Sequence, residues 1–347
     1  MRIGVHFKQD PWTRHWVDYC AERRIACERL NCYSPDIIER LRGIDGLLWH
    51  FDHWLGADLL AARHILTSAE AMGLSVFPDR NTCWHFDDKI AQKYLLEALN
   101  APLAPTHVFY DRNSAAEWLR SADFPLVAKL RRGAGSYNVR LLRTRSDAES
   151  YCRRLFGRGA HAVPDVLEDI STKLSLVHSL GDFARGLRRL PGFFRAVRHG
   201  KKTIPREKGY VLFQKFIAGN AYDTRIAVVG NRAWGFTRNV RKGDFRASGS
   251  GSIDYDLSRI NPRCVQTAFD VVGAIGAQSL AFDFVQDADG RPLILEISYG
   301  YQGDAVYRCE GHWDRRMNFH QGHTWPELAI MEDLLDEIRR KQARRPL

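Results

Sequence analysis

Two short apolar runs, SLAFDFVQ and PLILEIS, flank a segment containing Asp289-Gly290, and each carries one acid: Asp283 in the first, Glu296 in the second. Asp-Gly between two such runs is a hairpin signal, because both residues accept the backbone angles that a two-residue turn demands. Counting outward from that turn sets Asp283 directly opposite Glu296 and Ala281 opposite Ser298. The two carboxylates then share one strand face, while Phe282, Phe284, Leu295 and Ile297 share the other. Like charges facing each other destabilise a strand pair, so this register needs a reason. Two hard oxygen ligands a few ångströms apart suit a divalent cation such as Mg²⁺. A solvated acidic edge is the competing reading.

The chain has 347 residues, enough for two or three compact units with cores of their own. It contains no run of about 18 apolar residues that could span a bilayer. The start, MRIGVHFKQD, lacks the basic and then apolar order of a secretory signal, so a cytoplasmic location is expected. Seven cysteines are scattered without a CxxC pair, which argues against a zinc site or a disulfide framework. The net charge is +10, and much of the excess lies between Arg185 and Lys208, where nine Lys or Arg meet a single acid. Phe193 and Phe194 interleave with these cations, a pattern open to peripheral contact with an anionic surface or to a solvated basic helix face. No nucleic-acid-binding motif accompanies them, and nucleic acid is not an expected partner.

Strand-like and helix-like patterns alternate over residues 1–80, from RIGVHF to LSVFP, and predict an α/β fold that opens with a small parallel βαβ domain. A break at Pro78-Asp79-Arg80-Asn81 leads to the helical DDKIAQKYLLEALN, then to the strand FPLVAKL, the Gly-rich RRGAGS and the strand YNVRLLRT. From Tyr210 onward strands dominate until the helix PRCVQTAFDVVGAIG, the acidic hairpin and a terminal amphipathic helix beginning at Pro326. The reading divides the chain into 1–80, a main domain over 81–330 and a C-terminal helix over 331–347. Within the main domain it places a lid at about 105–213, carrying a basic insertion at about 157–208, and a catalytic part at about 214–330.

A lysine opening a helix (Lys89), a strand lysine before a Gly-rich loop (Lys129), an arginine-bearing sheet and the acidic hairpin stand in one order. That order resembles the ATP-grasp superfamily. The stretch YDTRIAVVGNRAWGFTRNVRKGDFRASGS is similar to its ribosomal-protein glutamate ligase branch, and D-alanine:D-alanine ligases share the general plan. The resemblance implies an ATP-grasp fold of two α+β subdomains clasping ATP, with Mg²⁺ as the metal. It assigns Lys89 and Lys129 to the nucleotide phosphates, and Gly133, Ala134, Gly135 and Ser136 to the loop that covers them. Gln214, Lys215, Phe216 and Ile217 fall on the adenine hinge, with Gln214 where the family usually has an acid, and Asp223 on the ribose hydroxyls. Arg238 and Arg246 fall near the reacting carboxylate and the γ-phosphate, where a planar guanidinium can hold two oxygens at once. Asp283, Glu296 and Ser298 match the metal ligands, with Ser298 in place of the usual asparagine.

The resulting expectation is an ATP-dependent carboxylate–amine ligase that forms an acyl phosphate, and family members are often homo-oligomers. Tyr299, Tyr301, Asp304, His312, Trp313 and Asp314, together with the basic segment, suggest a small-molecule or glycan-linked carboxylate such as a sugar acid in surface polysaccharide assembly. An ATP-grasp kinase acting on a hydroxyl and a non-catalytic nucleotide-binding module are the alternatives.

Overall fold

The computed structural model describes residues 1–53, 55–133, 138–162, 205–241, 243–247 and 251–344. Ala134, Gly135, Ser136 and most of the basic insertion lie outside the described residues.

The N-terminal unit is a parallel sheet with helical crossovers: β1 (Arg2–His6), α1 (Pro11–Glu22), β2 (Ala26–Leu30), α2 (Ile37–Arg40), β3 (Gly46–Leu48), α3 (Gly56–Ala71) and β4 (Ser75–Phe77). Its strand order is β2-β1-β3-β4. The inner strands β1 and β3, with β4, are buried along nearly their whole length, as parallel strands covered by helices must be, whereas the edge strand β2 carries the charged Glu28 and Arg29. Asp10 starts α1 by accepting from the backbone N–H of Thr13 at 2.8 Å, and Pro11 follows at the first helical position, where its missing N–H costs nothing.

Two short helices follow, α4 (Arg80–Cys83) and α5 (Lys89–Ala98), the second capped by Asp88. The lid comprises β5 (Thr106–Phe109), α6 (Arg112–Trp118), β6 (Leu126–Lys129), β7 (Val139–Leu142), α7 (Arg145–Phe156) and β8 (Val211–Lys215), with its antiparallel sheet in the order β5-β8-β6-β7. The expected boundary at 213/214 moves, because β8 carries Gln214 and Lys215 as part of the lid sheet. The large antiparallel sheet contains β9 (Tyr222–Val229), β10 (Arg232–Asn239), β11 (Ile253–Asp254), β12 (Ser279–Gln286), β13 (Pro292–Ser298), β14 (Gly311–Trp313) and β15 (Phe319–Gln321). It runs β13-β12-β9-β10-β14-β15, with β11 beside β10. Helix α8 (Pro262–Ile275) precedes β12, and α9 (Gly303–Tyr307) follows β13.

Packing divides the molecule differently from chain order. One continuous core joins the parallel sheet to the large antiparallel sheet through Trp16, Trp49, Phe77, Phe282 and Tyr299, whereas the lid packs its own core around Leu119, Leu155 and Phe213. The last helix, α10 (Pro326–Ala343), begins at Pro326, as expected, so its first turn falls within the span read as the main domain. It does not form a separate tail: it packs on α1, β3 and β4, and the Trp16 indole N–H donates to the Glu327 carbonyl at 2.9 Å. Its buried Ile330, Leu334 and Ile338 explain that return, since each apolar side chain removed from water is worth about 1.5–3 kcal/mol.

Candidate active site

In β12 and β13, Asp283 faces Glu296, Phe282 faces Ile297 and Ala281 faces Ser298, as the sequence predicts. The route to that register differs from the expectation. The turn is not the two residues Asp289-Gly290. Asp287 and Arg291 close a three-residue loop, with Gly290 at φ +72° supplying the left-handed position that favours glycine. This shifts the pairing by one, so that Phe284 faces Ile294, and a β-bulge between Asp283 and Phe284 then shifts it back. Leu295 is the extra residue. It therefore leaves the core face, where it was expected, and Ile294 is buried in its place. Bulges commonly re-aim groups beside a site. Here the freed Leu295 carbonyl accepts from the Lys129 ammonium on the lid at 3.2 Å.

A row of charge crosses three neighbouring strands, because Arg225 of β9 pairs with Asp283 and Asp283 with Glu296. Arg225 grips Asp283 with two bonds, Nε to Oδ1 at 2.5 Å and an NH2 contact to Oδ2 at 2.8 Å. Arg238 reaches the same Oδ2 at 2.9 Å and holds Asp223 through Nε at 2.8 Å and its terminal nitrogen at 2.6 Å. Burial opposes the Asp283 charge, but Arg225 and then Arg238 outweigh it and hold its carboxyl well below the usual range. Glu296 meets the Lys89 ammonium through Oε1 at 3.0 Å. Lys89 is buried, yet Glu296 and Asp87 keep its pKa above that of an ordinary lysine. Lys129 behaves in the opposite way: burial, with Lys89 adding to it and Glu296 opposing, pulls it down to about 8.

The start of the Gly-rich loop is pinned to α5. The Lys89 N–H donates to the Arg131 carbonyl at 3.0 Å, its ammonium donates to the Gly133 carbonyl at 2.8 Å, and the Gly133 N–H donates to Asp87 at 2.8 Å. Glu207, the one acid in the basic run, is buried and pairs with Arg131 and Arg132, which secures the loop from the other side.

Two cavities meet at the acidic hairpin. The larger, about 600 Å³, is lined by Lys89, Arg225, Arg238, Asp283, Glu296 and Ser298 together with residues of the N-terminal unit. The smaller, about 290 Å³, lies against the lid and is lined by Lys129, Gln214, Lys215, Phe216, Ile217 and Asp223, with Val127 and Leu295 as apolar walls. Asp283 and Glu296 line both.

The expected pair Arg238 and Arg246 is divided between these cavities. Arg238 lines the larger, and Arg246 lines the smaller, where its guanidinium meets Asp244 at 2.8 Å. Asp223, expected at the ribose, is bound by Arg238 while still lining the smaller cavity. Gln214 is buried, and its amide donates to Thr106 Oγ1 at 3.0 Å. Ser298 faces the larger cavity, with its hydroxyl donating to the Gly300 carbonyl at 3.0 Å. Among the residues read as a sugar platform, Tyr301 alone lines this cavity; Tyr299 is fully buried, and His312 and Trp313 sit on β14 at the far side of β10. Sequence reasoning missed Arg225, whose signal was its place two residues from Asp223 on the same strand face. It also missed His50, Asp52 and His53, in a loop that follows a parallel strand, where open α/β sheets place their ligands.

Among the described residues, no group of three or more His, Cys, Asp or Glu side chains could hold a metal. The hairpin still offers a hard, oxygen-only donor set. Glu296 remains 29% exposed toward the cleft and Ser298 presents its hydroxyl on the same side, so the chemistry fits Mg²⁺.

No protein-family profile matches the chain, and a search of curated proteins finds no match. Solved structures do match. A RimK domain ATP-grasp protein from Sphaerobacter thermophilus aligns with a TM-score of 0.57 at 15% identity, covering 96% of this chain and 99% of that one. The D-alanine–D-alanine ligase of Bacillus anthracis, solved with ATP, aligns with a TM-score of 0.57 at 13% identity over 98% of this chain and 99% of its own. The chain has the ATP-grasp fold. D-cycloserine synthetase DcsG is a further ATP-grasp-like match, with a TM-score of 0.57, 14% identity and coverage of 96% of this chain and 100% of that one. The smaller cavity is lined from both sheets, by Val127 and Lys129 of the lid and by Asp223, Asp283 and Glu296 of the large antiparallel sheet. Among the described residues no helix is long and apolar enough to cross a membrane.

Proposed function

We propose that this chain is an ATP-dependent carboxylate–amine ligase working through an acyl phosphate. The observation that carries the reading is the Asp283–Glu296 pair at the seam between the two cavities, ringed by Lys89, Lys129, Arg225 and Arg238. The smaller cavity suits an adenine ring between Val127, Phe216 and Leu295, with the backbone of residues 215–217 along its edge. Phosphates extending toward the seam would meet the Lys89 and Lys129 ammonium groups. The larger cavity has room for an acid and an amine together.

In this reading a carboxylate oxygen of the acid substrate attacks the γ-phosphorus, the new O–P bond forms, and the bond to ADP breaks. The amine nitrogen, as the free base, then attacks the acyl carbon, the C–O bond to phosphate breaks, and the nitrogen's surplus proton leaves with the departing phosphate or to water. Arg225 and Arg238 would orient the carboxylate and offset its charge as it approaches the anionic phosphate; fixed donors of this kind need not reorganise during reaction. Mg²⁺ held by Asp283 and Glu296 would draw charge from the phosphate oxygens. Arg246 belongs to the nucleotide side. No side-chain nucleophile is required.

Calorimetric titration with AMPPNP, with and without Mg²⁺, tests the reading on the native chain and on Glu296→Ala. Mg²⁺-dependent binding that weakens at least tenfold in the variant supports it, and absence of binding to the native chain sinks it. Equal binding with and without Mg²⁺ leaves a nucleotide-binding module. Sustained ADP release that requires both an acid and an amine then separates a ligase from a kinase, which needs one acceptor.

A further inference from the structure

Asp87 lies between α4 and α5, one residue ahead of the Asp88 cap, with φ at +55°. Side chains seldom enter this left-handed region, and aspartate and asparagine tolerate it better than most. Asp87 is buried, 9% exposed, and lines neither cavity. Its Oδ1 accepts the Gly133 N–H at 2.8 Å, a bond between residues 46 apart in the chain. Burial pushes the Asp87 carboxyl up to about 6, with Glu296 adding to it and Lys89, the Gly133 N–H and Arg132 opposing, so the group is charged at neutral pH.

Gly133 is fixed from its other side as well. At φ +107° its backbone runs so close to Asn138 that a Cβ would meet the amide nitrogen at 2.3 Å. That amide is itself held by the Arg132 and Ala162 carbonyls, at 3.2 and 2.9 Å. The Gly133 carbonyl then accepts the Lys89 ammonium at 2.8 Å, and the same ammonium stands 3.0 Å from Glu296 Oε1. Three contacts thus run in series: Asp87 to Gly133, Gly133 to Lys89, and Lys89 to the acidic hairpin. Among the described residues Lys89 has these two acceptors, and its third ammonium hydrogen is left for a ligand at the seam. Asp87 also acts by charge: burial draws Lys89 down, and Glu296 followed by Asp87 outweighs it. Glu296 is shared with the metal proposed for it, whereas Asp87 stands behind both cavities and remains a counter-charge for Lys89.

We propose that Asp87 is a positioning residue for the nucleotide phosphates: by holding Gly133 it aims the Lys89 ammonium into the larger cavity beside the acidic hairpin. The proposal rests on the nucleotide site of the ligase reading and adds a residue behind it that touches no ligand. Its effect is confined to the phosphate end of a nucleotide, because adenosine has nothing to offer Lys89.

The test uses two variants. Asp87→Gly removes the acceptor and leaves a residue at ease in the left-handed region, whereas Asp87→Asn keeps both an Oδ1 acceptor and the tolerance for positive φ. With Mg²⁺ present, calorimetry is expected to find AMPPNP binding at least tenfold weaker in Asp87→Gly and within threefold of native in Asp87→Asn. Adenosine, titrated by NMR, is expected to bind all three chains within twofold, which a general loss of structure would not allow. On the native chain alone, hydrogen exchange is expected to show the Gly133 amide slowed tenfold or more against an unstructured peptide. Unslowed exchange at Gly133, unchanged AMPPNP affinity in Asp87→Gly, an equal loss in Asp87→Asn, or a parallel loss of adenosine overturns the proposal while the ligase reading stands. Failure of AMPPNP to bind the native chain removes both.

Discussion

The Tyr299 hydroxyl donates to the carbonyl of Phe51 at 2.6 Å, and both residues are fully buried. Tyr299 directly follows Ser298 on the acidic hairpin, and Phe51 lies between His50 and Asp52, so one hydrogen bond ties the carboxylate strand to the N-terminal wall of the larger cavity. Tyr299→Phe leaves that carbonyl unsatisfied in the core. A buried acceptor stranded in this way costs about 1–3 kcal/mol. Chemical denaturation is expected to show that loss, and AMPPNP affinity, governed by the other side of the hairpin, is expected to stay within twofold.

Lys129 predicts a proton signature of nucleotide binding. With its pKa drawn down to about 8, it is largely neutral at pH 8.5 in the free protein, and phosphate oxygens beside it restore the charge. Binding of AMPPNP at pH 8.5 is therefore expected to take up protons, seen as a dependence of the calorimetric enthalpy on the ionisation enthalpy of the buffer. The uptake vanishes at pH 6.5 and in Lys129→Met. The sign for stability is the same: between about pH 8 and the ordinary lysine value the unfolded chain binds the extra proton, so this residue makes the free fold more stable as pH rises through that window.

Arg238 bridges Asp223 and Asp283, which are 6% and 9% exposed. Arg238→Ala strands the buried Asp223 carboxylate and leaves Asp283 to Arg225 alone, and breaking such a buried pair typically costs about 3–5 kcal/mol. The Asp283 carboxyl, depressed by Arg225 and Arg238, contributes stability above the ordinary carboxylate pKa that is lost as pH falls through its depressed folded value. Without Arg238 that loss moves to higher pH. Arg238→Lys keeps the charge but cannot bond two carboxylates with one planar fork, so denaturation curves at pH 4–7 are expected to place it between the native chain and the alanine variant.

Asp283 and Glu296 could be paired from sequence by counting outward from Asp289-Gly290, with the apolar alternation of both runs agreeing. Lys89 was legible as a lysine opening a helix, and Lys129 as the end of an apolar strand before a Gly-rich loop. The partners of these charges were not. Arg225 and Arg238 reach Asp283 through the registers of β9 with β10 and with β12, and no local signal sets those registers. The bulge was hidden for a different reason: a three-residue turn and one extra strand residue offset each other, so the right pair emerged from the wrong turn, and only Leu295 on the opposite face exposed the difference. Asp52 and His50 gain meaning only once two distant parts of the chain share a core.

The bulge at Leu295 also makes the hairpin separable into two mechanical parts. Everything from Phe284 to Ile294 follows one pairing frame, and the carboxylates follow another, with the change of frame taken up at a single residue. The tip around Ala288 and Asp289 is thus a place where a peptide tag or a fluorophore can be spliced in without rotating Glu296 away from the cleft, whereas deleting Leu295 would keep Glu296 opposite Asp283 and remove the carbonyl that receives the Lys129 ammonium.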